Sequence, residues 1–366
     1  MIMNKLKVCI GSKIYHGPWG GGNLFSQNLS DYLNKRGYEV YTDLKKNDLD
    51  IILLTDPRFS SESSTVSSNE AKFYKRYINP NVKIIHRINE CDERKNTKTV
   101  NKKILKSNNV ADYTVYVSNW LKEIYEKLGK SPENSSVIYS GSNSDIFNAN
   151  NFYGWNGVDK VKIVTHHWGN NWNKGFDIYS DLDRKLSISK FNESYEFTYI
   201  GNLPENFEFK NTTVYKPISG LELAEKLKEN HLYLTASVNE PSGNHHIEGA
   251  LCGLPILFLE SGGTPEYAKN YGISFNSLNF YEKLEEIVND YDIYKYKMKN
   301  YPYKSDKMCE EYLNLFILLA KNNSQTFNFK FNPFDKKLFS TLLKSYKKLY
   351  MKIIFKLEKI IKLYIK

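Results

Sequence analysis

Two parallel α/β domains followed by a separate basic amphipathic helix are what this sequence predicts, and three observations carry the prediction. Apolar runs of strand length alternate with helix-patterned segments from the first residues onward. An Asn- and Gly-rich stretch at 148–159 interrupts that alternation, which then starts again. After Pro333, apolar residues recur at spacings of three and four with lysines between them.

In chain order, the first domain is expected over 1–150. Val8–Ile10 reads as a strand, and Ser12 to Asn23 as a Gly-rich loop. Leu24, Leu29 and Leu33 mark one helix face that ends at Gly37. Strands follow at 39–42, 51–55 and 82–86, with a Ser-rich polar stretch at 60–69 that reads as a mobile surface loop. A strand at 113–117 leads through Ser118 into a helix, and a last strand covers 137–140. The second domain is expected over 158–300, with strands at 162–166, near 197–200, 213–215, 232–235 and 255–259. A helix over 301–322, marked by Met308, Tyr312, Leu315, Phe316 and Leu319, is placed to cross back onto the first domain, and 333–366 forms the tail.

The most informative stretch is the run EPSGNHHIE from Glu240 to Glu248, two glutamates with seven residues between them. It lies between the strand at Leu232–Thr235 and a small-residue helix at Gly249–Gly253, before the apolar run at Leu254–Leu259. A strand, a Gly/Ser turn, a helix and a second strand make a βαβ unit whose turn opens on the ligand side of a parallel sheet. Such a turn offers backbone N–H groups to an anion. Carboxylates are poor neighbours for a phosphate, so these two are suited to accepting hydrogen bonds from sugar hydroxyls.

Glu240, Glu248 and the following Gly253-Leu254-Pro255 resemble the signature of retaining glycosyltransferases of family 4, which have the GT-B fold of two Rossmann-like domains with an interdomain cleft. The resemblance spans about residues 5–320 and is specific mainly over 162–267. It implies that Glu248 binds the ribose hydroxyls of a nucleotide-sugar donor and that Glu240 lies near the donor sugar. Gly243, Asn244 and His245 would line the sugar pocket. Lys174-Gly175 matches the Lys-Gly with which family members hold the donor diphosphate, an ammonium that offsets charge growing on the leaving group. The family usually has an arginine five residues before that lysine, where this chain has Gly169. Gly262-Gly263-Thr264-Pro265-Glu266 resembles a further family loop near the donor.

Two first-domain segments complete the expected site. In the loop at 16–23, Gly20, Gly21 and Gly22 permit close backbone approach to a ligand. The resemblance has Gly21 and Gly22 facing donor phosphates. A dinucleotide-binding turn is the rival reading, since Asp43 follows about 20 residues on, although Phe25 replaces the third glycine of that pattern. His86 ends a strand where the acceptor side is implied and could hydrogen-bond donor-sugar hydroxyls or the acceptor; Asn89 follows on that side, and Glu90 or Asp92 could orient or deprotonate the acceptor hydroxyl. His166-His167 and His245-His246 lack carboxylate or cysteine partners at ligand spacing, and the latter two are read as loop residues pointing apart. Neither a metal nor a cofactor is expected.

Composition narrows the class. All of the net charge of +10 is in residues 321–366, where 12 lysines face only Asp335 and Glu358, so the body of the chain is neutral on balance. That distribution argues against a nucleic-acid-binding body. Cys9, Cys91, Cys252 and Cys309 lie in apolar contexts with no paired spacing, as expected of buried thiols in a reducing compartment. The strand at 6–11 leaves no room for a signal peptide, and no apolar run is long enough to span a membrane, so a cytoplasmic protein is expected. The tail stripe from Leu338 to Tyr364 fits an anionic membrane surface, with packing on the body or a dimer seam as alternatives. The expected activity is sugar transfer from a UDP- or GDP-linked donor to a glycan or lipid-linked acceptor, in surface polysaccharide or glycolipid synthesis at the inner membrane face. The alternatives are a sugar-nucleotide epimerase, an oxidoreductase, or a non-catalytic nucleotide-sugar-binding subunit.

Overall fold

The computed structural model describes residues 5–15, 17, 19–58, 63–130 and 133–321. The basic tail expected over 333–366 lies outside them. The first sheet contains β1 (Lys7–Ile10), β2 (Glu39–Tyr41), β3 (Ile51–Leu54), β4 (Lys83–Ile88), β5 (Tyr113–Tyr116) and β6 (Ser135–Val137). The second contains β7 (Val161–His167), β8 (Tyr195–Gly201), β9 (Thr213–Tyr215), β10 (Leu232–Thr235), β11 (Ile256–Leu259) and β12 (Gly272–Phe275). The pairings between these strands are all parallel. The helices through the first sheet's span are α1 (Gly21–Lys35), α2 (Ser68–Tyr77), α3 (Asp92–Lys95), α4 (Val100–Asn108) and α5 (Asn119–Lys127). Around the second are α6 (Phe176–Lys185), α7 (Ser189–Asn192), α8 (Gly220–Lys228), α9 (Asn244–Leu251), α10 (Thr264–Ala268), α11 (Phe280–Asn289) and α12 (Tyr291–Met298). Last comes α13 (Ser305–Lys321).

Strand order decides where a ligand can sit. The sheets run β2-β1-β3-β4-β5-β6 and β12-β11-β10-β7-β8-β9. The order reverses between β1 and β3 in one and between β7 and β10 in the other. At such a switch point adjacent loops leave in opposite directions and open a crevice at the strand C-termini. The loops leaving β7 and β10 carry Lys174 and Glu240.

The central strands β3 and β10 are buried along their whole length, as expected of parallel strands covered on both faces. Met308, Tyr312, Leu315 and Phe316 of α13 join Val8, Ile10, Phe25 and Leu29 in one core, so the last described helix packs on the first sheet. All four cysteines are buried free thiols.

Several local readings change. Within the stretch read as a mobile loop at 60–69, the described residues are fastened to the body: the Ser64 hydroxyl donates to the Gly11 carbonyl, and Ser67 with Glu70 forms a capping box that starts α2. The strand read at 137–140 is Ser135–Val137. β12 was not expected, because Gly272-Ile-Ser-Phe is too short to show a period and is specified by pairing with β11. Gly21 and Gly22 open α1 rather than belonging to the loop. Helix α9 starts at Asn244, so His245 and His246 are helical and buried rather than on an extended loop.

The two sheets meet through a charged joint. The Glu266 carboxylate accepts from the backbone N–H groups of Asn119 and Trp120, both at 2.8 Å, and from the Tyr139 hydroxyl at 2.9 Å. It thus sits at the N-terminus of α5, where the helix leaves donors unpaired and favours an anion. Tyr267 adds a hydroxyl bond to the Val117 carbonyl. Gly262, at φ 66°, lets this loop press on the Glu240 backbone, and Gly263 on the Pro241 carbonyl and the Ser118 side chain, where a Cβ would collide. Glu266→Ala is expected to lower the unfolding free energy by about 2 kcal/mol, from lost charge-assisted bonds. Urea denaturation checks this, and a wild-type midpoint and slope would contradict it.

Candidate active site

A cleft of about 1280 Å³ is lined by residues of both sheets' loops, among them His86, Glu90, Arg94, Lys174, Glu240 and Glu248. Lys174 ends a 3₁₀ turn (Trp172–Lys174), and Gly175 at φ 109° lets that turn close against Ala236, 2.6 Å from where a Cβ would stand. The Lys174 ammonium donates to Glu240 Oε2. From the first sheet's side, Arg94 Nε lies 3.2 Å from Glu240 Oε1, while Arg94 Nη1 donates to Glu90 at 3.1 Å. Lys95 Nζ lies 3.3 Å from Glu90. Burial by itself would raise the Glu240 pKa, but Arg94 and Lys174 outweigh it and bring it down to about 2. Glu240 is therefore ionised at any physiological pH. Burial pulls the Lys174 pKa down, and Glu240 pulls it back up.

Glu248, one helical turn into α9, faces His166 at the end of β7, with Oε2 2.8 Å from Nε2. The other ring nitrogen of His166 lies 3.1 Å from the Tyr233 hydroxyl, which orients the imidazole. His167 and His245 approach with ring centroids 4.5 Å apart, anchored on Tyr179 and Thr235 respectively. Burial holds both pKa values well below the ordinary histidine range. Burial also lowers His246 to about 3, and neither of its ring nitrogens has a hydrogen-bond partner. Among the described residues no group of three His, Cys, Asp or Glu could hold a metal ion.

Two helix N-termini converge here. α1 begins at Gly21 and α9 at Asn244, and a Cβ on Gly21 would stand 3.2 Å from the Asn244 side chain. Unpaired N–H groups and aligned peptide dipoles make this point attractive to an anion. Gly22, Gly243 and His245 also line the cleft.

On the first-sheet side, His86 is buried on β4 and its Nδ1 receives a hydrogen bond from Asn108 Nδ2 at 2.9 Å. That assignment leaves the proton on Nε2. Burial pushes its pKa down to about 3, so the ring is a neutral hydrogen-bonding group. Asn89 and Glu90 line the cleft, but Glu90 is engaged by Arg94 and Lys95. Asp92 does not line the cleft: its carboxylate accepts from the Thr97 hydroxyl and from Val100 and Asn101 N–H, fastening α3 to α4. Sequence reasoning missed Arg94 and the His166 partner of Glu248. The four-residue spacing of Glu90 and Arg94 was visible, but no local signal tied Arg94 to Glu240, 146 residues away.

No family model matches the sequence, and no curated protein matches it. Solved structures do. A glycosyltransferase from Rickettsia africae ESF-5 is similar with a TM-score of 0.61 at 14% identity, covering 87% of this chain and 100% of that one. The catalytic domain of starch synthase IV from Arabidopsis thaliana, bound to ADP and acarbose, gives 0.63 at 11% identity with coverages of 87% and 100%. The lipopolysaccharide outer core galactosyltransferase WaaB gives 0.60 at 13% identity with coverages of 86% and 99%. The fold of this chain is thus GT-B, the two-sheet architecture of those glycosyltransferases.

The buried histidines make stability depend on pH. In the unfolded chain each binds a proton below about pH 6.5, whereas His86 and His246 in the folded chain do so only near 3. The unfolded state then holds more protons, so stability rises with pH across that window and falls on acidification. Stability is expected to decline from pH 6.5 toward 4, each such histidine contributing up to about 1.4 kcal/mol per pH unit. Urea denaturation at pH 7, 6 and 5 reads this directly. Equal stability at all three would mean that the histidines titrate normally in the native state.

Proposed function

We propose that this chain is a metal-independent retaining glycosyltransferase of family 4, moving a sugar from a UDP- or GDP-linked donor to a glycan or lipid-linked acceptor. The observation that carries this reading is that Glu240 and Glu248 enter one cleft with Lys174, at the switch point of the second sheet. Glu248, backed by His166, is suited to accept hydrogen bonds from the ribose hydroxyls. The donor diphosphate would lie against Lys174 and the N-termini of α1 and α9, which attract anions. The similar starch synthase was solved with ADP and acarbose, a nucleotide and a sugar in one protein.

In the proposed reaction the bond from the anomeric carbon to the diphosphate oxygen breaks, and its electron pair leaves with the nucleoside diphosphate. The acceptor hydroxyl oxygen forms the new bond on the same face, and its proton passes to the departing phosphate oxygen. No protein base is required for this step, which suits a site where Glu240 and Glu90 are engaged by cations. His86, neutral with its proton on Nε2, would hold a donor-sugar hydroxyl. Charge building on the leaving diphosphate is offset by Lys174. Glu240, kept ionised by its partners, would face the sugar.

A role in surface polysaccharide or glycolipid synthesis at a membrane rests on the basic apolar stripe at 333–366. No helix among the described residues is long and apolar enough to cross a membrane.

Thermal shifts with a panel of nucleotide sugars and NAD(P) test the donor class: nucleotide sugars are expected to stabilise the chain, and stabilisation by nicotinamide nucleotides alone would overturn it. Glu248→Ala is expected to weaken nucleoside diphosphate binding by roughly tenfold or more, since a charged acceptor is lost. Calorimetry on the folded variant checks this, and wild-type affinity would remove the ribose role. Deleting residues 335–366 is expected to release the protein from anionic vesicles while donor binding persists. Each lysine near such a surface contributes about 1 kcal/mol, weakened by salt. Vesicle sedimentation at low and high salt reads the outcome, and a full-length chain that ignores anionic vesicles at low salt would return the stripe to the body or a dimer seam.

A further inference from the structure

The cleft holds a cation that the second sheet does not supply. Arg94 belongs to α3 of the first sheet's loops, yet its guanidinium lies 3.2 Å from Glu240, the same carboxylate that Lys174 engages. Its placement is built rather than incidental. The residues just before Lys174 and Glu240 both reach across to the α3 backbone: Asn173 Nδ2 donates to the Arg94 carbonyl at 3.4 Å, and Asn239 Nδ2 to the Glu93 carbonyl at 3.2 Å. Asn239 holds a left-handed φ of 52° to do so, a conformation few non-glycine residues adopt. On the other side Asp92 and Asn101 lock α3 onto α4. Arg94 is also shared with Glu90, so Lys174, Arg94 and Lys95 stand against only two carboxylates. The cluster keeps one positive charge in excess. Arg94 Nη1 donates to Glu90, while the buried Nε, close to Glu240, makes no hydrogen bond among the described residues, so the guanidinium keeps donors to offer, in a forked set suited to phosphate oxygens. Gly169, five residues before Lys174, has no side chain to offer.

Resting on the donor reading above, we propose that Arg94 is the second cation of the donor-diphosphate site, reaching it from the opposite domain. The phosphate-binding half of the site is then complete only when the α3 loop is docked on Asn173 and Asn239, so diphosphate binding and domain apposition are one event.

Calorimetry on the full chain tests this, with UDP, GDP, uridine and guanosine as probes. Arg94→Ala and the bulkier Arg94→Gln are expected to lose about tenfold or more in affinity for the diphosphate that wild type binds. Affinity for the matching nucleoside should stay within twofold in the order-of-magnitude sense, since no phosphate is present. Placing the charge back on the other side, as Arg94→Ala with Gly169→Arg, should recover most of the loss. Gly169 can accept a side chain, because a Cβ there would be 3.4 Å from Lys174 Cε, in ordinary contact. Wild-type diphosphate affinity in both single variants overturns the proposal while leaving the donor reading intact. Equal losses for nucleoside and diphosphate also overturn it, by making Arg94 a structural clasp. Failure of the wild-type chain to bind any of the four probes would instead overturn the donor reading itself.

Discussion

A single buried carboxylate organises this molecule. Glu240 is 5% exposed, and an ionised carboxylate so placed costs several kcal/mol unless cations and donors replace its water. Its partners come from both sides of the cleft, Lys174 from the loop after β7 and Arg94 from α3. Removing one partner of such a pair typically costs about 3–5 kcal/mol, because the other charge is left buried alone. The approach of the two sheets, the 3₁₀ turn at Lys174 and the docking of α3 are therefore coupled to one ionised group. Glu266 at the start of α5 does the same for the joint behind the cleft, with helix N–H groups in place of side-chain cations.

Buried histidines at and behind the cleft are kept uncharged. Burial drives His86, His167, His245 and His246 to their neutral forms, and the Lys174 ammonium adds to this for the last three. Neutral imidazoles, tyrosine hydroxyls and amides are suited to polyhydroxylated ligands, since each offers directional hydrogen bonds without a strong field. The charged cluster and the two helix N-termini are suited instead to an anion. One cleft thus presents two chemistries side by side, and a sugar joined to a diphosphate needs both.

Exposed aromatic faces rim the same opening. Tyr15 and Trp19 stack at 4.5 Å, and Trp168 from the second sheet approaches Trp19 at 6.1 Å. Each is more than a third exposed. These rings are amphipathic surface beside the cleft, not part of either core.

Much of the fold was legible in the chain because its signals are local. Continuous apolar runs such as Ile51–Leu54 and Leu232–Thr235 mark strands buried on both faces, and their alternation with helix patterns implies parallel sheets. Glu240, Glu248 and Lys174 were singled out for the same reason: each sits in a short context that names its loop. What the sequence left open depends on contacts between distant residues. β12 exists because β11 pairs with it, and α2 starts where Ser67 and Glu70 cap each other. Asp92 looked like a cleft acid until its three donors in the α3–α4 turn were in place. Arg94 had no visible partner, since charge attraction acts through space and Glu240 lies on another sheet's loop. The sequence by itself determined most of the strand segments, which loop carries the carboxylates and that the net charge is in the tail. Only the tertiary structure decided which charges meet, because that depends on how the loops of two separately patterned sheets are brought together across the cleft.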